Sequence, residues 1–322
     1  MRVVITGGCG FLGRRVALRL LDRGDIDELV LFDNASPALP LPEDPRLSLV
    51  TGDIADRATV REVVTPGTDS VFHLAAVVSG EAEADTDLGY RVNLGGTRAV
   101  LEACRALGSC PRVVFASSLA VYGGALPPAV GDDTPLTPQT SYGTQKAIGE
   151  LLVNDYSRKG FVDGRAVRLP TVVVRPGRPN RAASTFASSI IREPLSGRGA
   201  ICPVSPDTVM ALASPRRVVA GLLRAHNLPG GAFGTSRSLQ LPGFSVAVGE
   251  MAEAVRRVGG TEAYGRIRWM PDPQIQQIIS GWPQVLRAPR AEALGFAADT
   301  GIDEVVRAFV EDDLEAQKRL VI

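Results

Sequence analysis

The string TGGCGFLG (residues 6–13) limits the fold more than any other stretch, because it joins a five-residue apolar run to a helical pattern. A strand that turns on glycines into a helix aims unpaired N–H groups at whatever anion lies there. Gly7 suits the tight turn, Gly10 lets a pyrophosphate approach the backbone, and Gly13 lets helix and strand pack closely. Phe11 and Leu12 open the helix whose positive end faces the phosphates. Leu12, Val16, Leu20 and Leu21 recur at helical spacing, and Gly24 supplies a stop. Asp33 closes the next apolar run, 20 residues after Gly13. A carboxylate there accepts adenosine ribose hydroxyls and repels a 2′-phosphate. Asn34 and Ala35 follow it, with no arginine, so the expected cofactor is NAD rather than NADP.

Short β-branched runs at 2–6, 29–33, 47–51, 70–74 and 112–117 alternate with helical stretches at 11–23, 57–64, 90–107 and 141–159. Parallel strands need such crossovers, so the pattern predicts an α/β fold: a Rossmann doubly wound parallel sheet. Asp53 and Ile54, in TGDI, end one strand where an acid can meet the adenine amino group. Leu74, Ala75 and Ala76 end another, with small residues where a cofactor can pass. His73 reads as a packed strand-end histidine. From about Leu169 prolines break the chain into short pieces, which predicts a smaller C-terminal substrate-binding lobe. The expected division is an NAD-binding domain at 1–170, with 215–228 returning to it, and a substrate lobe at 171–322. Helices are expected at 215–225, 245–258 and 300–318.

Lysine plus arginine equals aspartate plus glutamate, 35 against 35, so nothing draws the chain to nucleic acid or an anionic membrane. Four cysteines without metal spacing and two histidines argue for free thiols and no metal. The opening apolar run is too short for a signal sequence or a membrane span, and a cytoplasmic protein is expected.

SYGTQKAIGE (141–150) places Tyr142 and Lys146 four residues apart, on one helical face. A tyrosine of pKa about 10 needs about 4 kcal/mol of help to act as a base near neutrality, and a neighbouring ammonium contributes to that. The run FASSLAVYG (115–123), read as a strand ending in hydroxyls, lies where the ligand edge of such a sheet is expected. Ser118 can then donate to a substrate oxygen while Tyr142 removes its proton. Lys146 tunes the phenol and can hold the nicotinamide ribose.

Together TGGCGFLG, Asp33, GDI, HLAA, Asn93 in VNLGGT, SSLAVYG and YGTQK resemble the extended short-chain dehydrogenase/reductase superfamily, home also to nucleotide-sugar epimerases and dehydratases. That resemblance implies Ser118, Tyr142 and Lys146 as the active residues. It also implies a structural or cofactor-proximal Asn93, Leu169 near the cofactor, and a homodimer joined by a four-helix bundle from 90–107 and 141–159. Within the superfamily the chain is similar to the D-erythronate dehydrogenases, through AAVVSGEAEAD (75–85), YGTQKAIGELLVNDYSRKGFVDGRA (142–166), RLPTVVVRPGRPN (168–180), FASSIIREPL (186–195) and CPVSPDT (202–208). This implies oxidation of the 2-hydroxyl of a small sugar acid to the 2-oxo acid with NAD. Such an acid needs a cation, with Arg175 first and Arg178 or Arg216 as alternatives, and Ser79 and Thr171 for its hydroxyls. The competing expectations are a nucleotide-sugar epimerase or dehydratase that keeps its NAD bound, and a non-catalytic NAD sensor.

Overall fold

The computed structural model describes residues 1–37, 40–177 and 183–319. In chain order its strands are β1 (Arg2–Thr6), β2 (Glu28–Asp33), β3 (Leu47–Thr51), β4 (Thr68–His73), β5 (Arg112–Ser118), β6 (Asp163–Leu169), β7 (Thr171–Val172), β8 (Ala200–Cys202), β9 (Val209–Ala213), β10 (Ser238–Gln240), β11 (Phe244–Ala247) and β12 (Ile267–Trp269). The helices are α1 (Phe11–Leu21), α2 (Arg57–Val63), α3 (Ser79–Ala84), α4 (Thr86–Gly89), α5 (Gly96–Leu107), α6 (Ser141–Arg158), α7 (Thr185–Leu195), α8 (Pro215–Asn227), α9 (Val248–Tyr264), α10 (Pro273–Ser280), α11 (Pro289–Ala293), α12 (Ile302–Asp312) and α13 (Leu314–Arg319).

The chain divides into two compact units. The first takes Met1–Val121, Thr140–Arg168 and Val219–Leu239; the second takes Tyr122–Gln139, Leu169–Val218 and Gln240–Ile322. In the first, the strand order is β10-β6-β5-β4-β1-β2-β3. β1 runs parallel to both β2 and β4, β2 to β3, and β4 to β5. The order reverses at β1, which places the β1–α1 turn at the switch point where ligands bind in open α/β sheets. Val3, Val4 and Ile5 are fully buried, as expected for a strand covered on both faces. Helix α1 buries Gly13, Val16, Ala17 and Leu20.

In the second unit, β11, β9 and β7 form one small sheet and β12 and β8 another. They enclose an apolar core that includes Val174, Ile190, Met251 and Val305. The prolines predict short pieces here, yet α7 carries Pro194 near its end and remains an 11-residue helix. Proline gives up the bond its N–H would make to the carbonyl of Ile190, and the helix ends one residue later.

Three expected elements change form. Residues 90–107 split into a π-helical turn (Tyr90–Gly95) and α5. The run 245–258 gives its start to β11, which pairs antiparallel with β9, so the helix begins only at Val248. The C-terminal stretch breaks at Asp313 into α12 and α13. Among the described residues, no helix is long and apolar enough to cross a membrane.

Candidate active site

The glycine turn is set by sterics. Gly7 sits at φ 69°, and a Cβ there would meet Ala75 N at 2.7 Å. A Cβ on Gly13 would lie 2.1 Å from Gly7 O, so nothing larger fits between α1 and the turn. Gly10 caps α1 without a side chain, and no acidic residue stands in the first turn, which leaves the helix start open to an anion. Beside it lies a cavity of about 420 Å³ lined by Gly7, Gly10, Asp33, Asn34, Asp53, Ile54, Leu74, Ala75 and Ala76, with further wall from Val77, Val78, Glu81 and Arg91. Asp33 accepts from Cys9 N at 3.0 Å and from Ala35 N at 3.2 Å, so its carboxylate is held at the cavity edge by two amides. A glycine-capped helix start, a fixed carboxylate and small residues opposite fit the adenosine and phosphate half of a dinucleotide.

Phe11, Leu12, Gly13, Asn93, Tyr142, Lys146 and Leu169 are not on this wall. Asp53 accepts from Ala55 N at 2.9 Å and pairs with Arg91 at 2.5 Å, and together these hold its carboxyl below the usual range. The expected adenine contact is thus already engaged with a guanidinium that sequence reasoning missed.

Asn93 is a brace. Its Oδ1 accepts from Val77 N at 2.9 Å, and its Nδ2 donates to Gln145 Oε1 at 2.8 Å and to Val77 O at 3.3 Å. It fixes the loop that lines the cavity. Behind that loop, Thr97 Oγ1 donates to Asn93 O at 2.6 Å and lies 2.9 Å from His73 Nε2. Thr6 Oγ1 lies 2.7 Å from His73 Nδ1 and accepts from Ala75 N at 3.3 Å. Thr97 has given its proton to a carbonyl, so Nε2 donates to it and Nδ1 accepts from Thr6. Burial pushes the His73 pKa down to about 3.

Helix α6 starts on Thr140, whose side chain accepts from Gly143 N at 3.0 Å, and on Ser141 N, which donates to Glu83 at 2.8 Å. These bonds fix the turn that carries Tyr142. Lys146, only 3 % exposed, donates to Ala116 O at 2.8 Å. Its ammonium lies 4.7 Å from the Phe115 ring centre and 5.7 Å from that of Tyr142. Burial pushes the lysine pKa down to about 8, against the pull of Glu150. It is therefore a cation at neutral pH beside the phenol. Ser118 ends β5, which then turns into a 3-10 segment (Leu119–Val121), so the expected strand over 115–123 is shorter. The Ser118 Oγ accepts from Ala120 N at 3.1 Å.

Sequence reasoning also missed the buried polar group next to Lys146. Glu150 accepts from Ser117 Oγ at 2.5 Å and from Arg168 Nη2 at 2.8 Å and Nε at 3.0 Å. The available signals were the four-residue step from Lys146 to Glu150 and an arginine inside an apolar strand.

Of the expected substrate residues, Ser79 opens α3 in the first unit, while Thr171 and Arg175 belong to the second. The Arg175 backbone is held by Ser188 Oγ, which accepts from its N at 3.1 Å, and by Arg192, which donates to its O at 2.6 Å. Arg216 pairs with Asp312 at 2.6 Å and Glu311 at 2.8 Å, so the structure spends it on tying α8 to α12 and corrects its candidacy as a substrate cation. Arg178 lies outside the described residues. Among those residues, no group of His, Cys, Asp and Glu is placed to hold a metal.

The sequence pattern of the NAD dependent epimerase/dehydratase family matches residues 3–217. The chain belongs to that family. Over 97 % of its length it is 54 % identical to a D-erythronate dehydrogenase of Cupriavidus necator, covering 98 % of that protein. It is 46 % identical to a D-erythronate dehydrogenase of Haemophilus influenzae, over 98 % of this chain and all of that one. Among solved structures, a protein of Agrobacterium tumefaciens described as a nucleoside-diphosphate-sugar epimerase superposes with a TM-score of 0.93. The two are 42 % identical, with 98 % of this chain and 95 % of that one covered. The family's fold and cofactor are those of this chain: a Rossmann-type sheet that uses NAD.

Proposed function

We propose that this protein oxidises the 2-hydroxyl of D-erythronate, or a closely similar small sugar acid, to the 2-oxo acid. The carrying observation is the full-length match to two D-erythronate dehydrogenases at 54 % and 46 % identity. NAD, when bound, supplies the acceptor for the hydride that leaves the substrate carbon. Gly7, Gly10, the first turn of α1, Asp33 and the loop braced by Asn93 hold its adenosine and phosphates. Tyr142 takes the hydroxyl proton and Ser118 orients the same oxygen. Lys146 keeps the phenolate accessible by placing its ammonium 5.7 Å from the ring. Arg175 supplies the cation for the carboxylate, with Ser79 and Thr171 for the hydroxyls.

The description of the Agrobacterium protein favours a second reading, a nucleotide-sugar epimerase that recycles its NAD. Incubation with NAD and D-erythronate separates the two. Net formation of reduced nicotinamide, lost in Tyr142→Phe with NAD binding intact, supports the dehydrogenase. UDP-sugar interconversion without net reduction sinks it.

A cytoplasmic homodimer completes the proposal, its four-helix bundle built from α5 and α6 with the π-helical turn. Tyr90 (39 % exposed) and Leu151 (67 %) supply large apolar side chains on those segments. A dimeric mass by light scattering that falls to a monomer in Leu151→Arg supports it, and a monomeric native protein overturns it.

A further inference from the structure

Lys146 is surrounded by more charge than a tyrosine–lysine pair requires. One helical turn further along α6, Glu150 is 3 % exposed, and Arg168 on β6 is 6 % exposed. Arg168 engages both oxygens of Glu150 through Nε and Nη2. Ser117 on β5 donates to the same carboxylate, one residue after Ala116, whose carbonyl holds Lys146. On β4, His73 stacks on Phe115, the ring that also faces the ammonium, and burial keeps it neutral. Two buried cations thus stand against one buried anion, with the Tyr142 phenol at the edge of the group.

A buried ion pair is weak evidence for stability, since desolvation offsets most of the attraction. Its position next to Lys146 gives it a different use. Glu150 alone would pair with the lysine and cancel the charge the phenol needs. Arg168 occupies Glu150 bidentately and returns that charge. We propose that Glu150 and Arg168 are positioning residues that hold the surroundings of Lys146 at one net cation, so that ionising Tyr142 brings the cluster to neutrality. The proposal rests on Tyr142 as the base.

The test is the pH profile of NAD-dependent D-erythronate oxidation in Glu150→Gln, Arg168→Met and the double variant. Glu150→Gln leaves two cations and slides the profile to lower pH by roughly one unit. Arg168→Met leaves Glu150 to cancel the charge of Lys146 and slides the profile upward by a similar amount. The double variant restores one net cation and returns the profile to that of the wild type. A purely structural role would lower the rate without moving the profile in opposite senses. A profile that stays put, or moves the same way in both single variants, overturns the inference. If only one single variant folds, its shift and the return in the double variant decide. If neither folds, the pair is holding the fold and the inference is overturned too. Full activity in Tyr142→Phe would instead remove the underlying reading, whatever the pair does.

Discussion

Replacing Lys146 with methionine should stop turnover and make the protein more stable at pH 7. The side chain is 3 % exposed, and burial brings its pKa from 10.5 down to about 8. A shift of that size corresponds to about 3 kcal/mol of folding free energy set against the charged form. Methionine removes that cost while filling a similar volume. It leaves Ala116 O without its donor, a loss of about 1 kcal/mol, so a net gain of roughly 2 kcal/mol is expected. Glu150 is not orphaned, since Arg168 and Ser117 still hold it. Below pH 8 the lysine carries its proton in both folded and unfolded chains, and the folded chain bears the whole desolvation cost. Between about 8 and 10.5 only the unfolded chain keeps the proton, so wild-type stability rises with pH there and the advantage of the variant fades. Urea midpoints of both proteins from pH 7 to 10.5 provide the measurement. A variant that is less stable at pH 7, or whose advantage does not shrink above pH 8, would refute the reasoning.

Asp33→Ala should weaken NAD binding and raise the relative use of NADP, because the ribose acceptor and the charge opposing a 2′-phosphate go together; an unchanged NAD/NADP ratio of kcat/KM counts against the assignment. Gly13→Ala should cost at least about 2 kcal/mol of stability, since its Cβ would sit 2.1 Å from Gly7 O with only backbone to yield, and thermal unfolding with and without NAD reads both effects. The buried histidines make acid destabilising. His73 falls to about 3 and His226 to about 4, each below the ordinary 6.5, so their stability is complete above pH 6.5 and is lost as pH falls toward those values. Unfolding at pH 5 should take up about two protons through these groups, measured from the slope of urea midpoints between pH 5 and 6.5. A flat profile there would contradict their burial as neutral rings.

Much of the first unit was legible because its information is local. The glycine string, the strand-end acid and the four-residue step from Tyr142 to Lys146 each state their geometry within a few residues. Asp33 and Lys146 could be singled out from spacing together with the strands that precede them. Arg91 could not, since its partner Asp53 is 38 residues away and nothing in YRVN distinguishes it from a solvated charge. The same holds for Glu150 and Arg168, which read singly as a helix-surface acid and a strand charge. The second unit was obscure for a related reason. Its sheet takes β7 from 171–172, β9 from 209–213 and β11 from 244–247, strands too short to show periodicity until they pair. Residues 245–247 fit a helical pattern as well as an extended one, and pairing with β9 decided between them.

The line of contacts from Ala75 N through Thr6, His73 and Thr97 to Asn93 O runs in one sense throughout, each group giving a proton to the next. Such a row has a direction, and its small dipoles add head to tail. Valine at either threonine would strand an imidazole nitrogen in a dry interior, whereas serine would keep the row whole. The loop that lines the cavity is therefore anchored to α5 by an ordered set of hydrogens that stays in register at any pH where the imidazole remains uncharged.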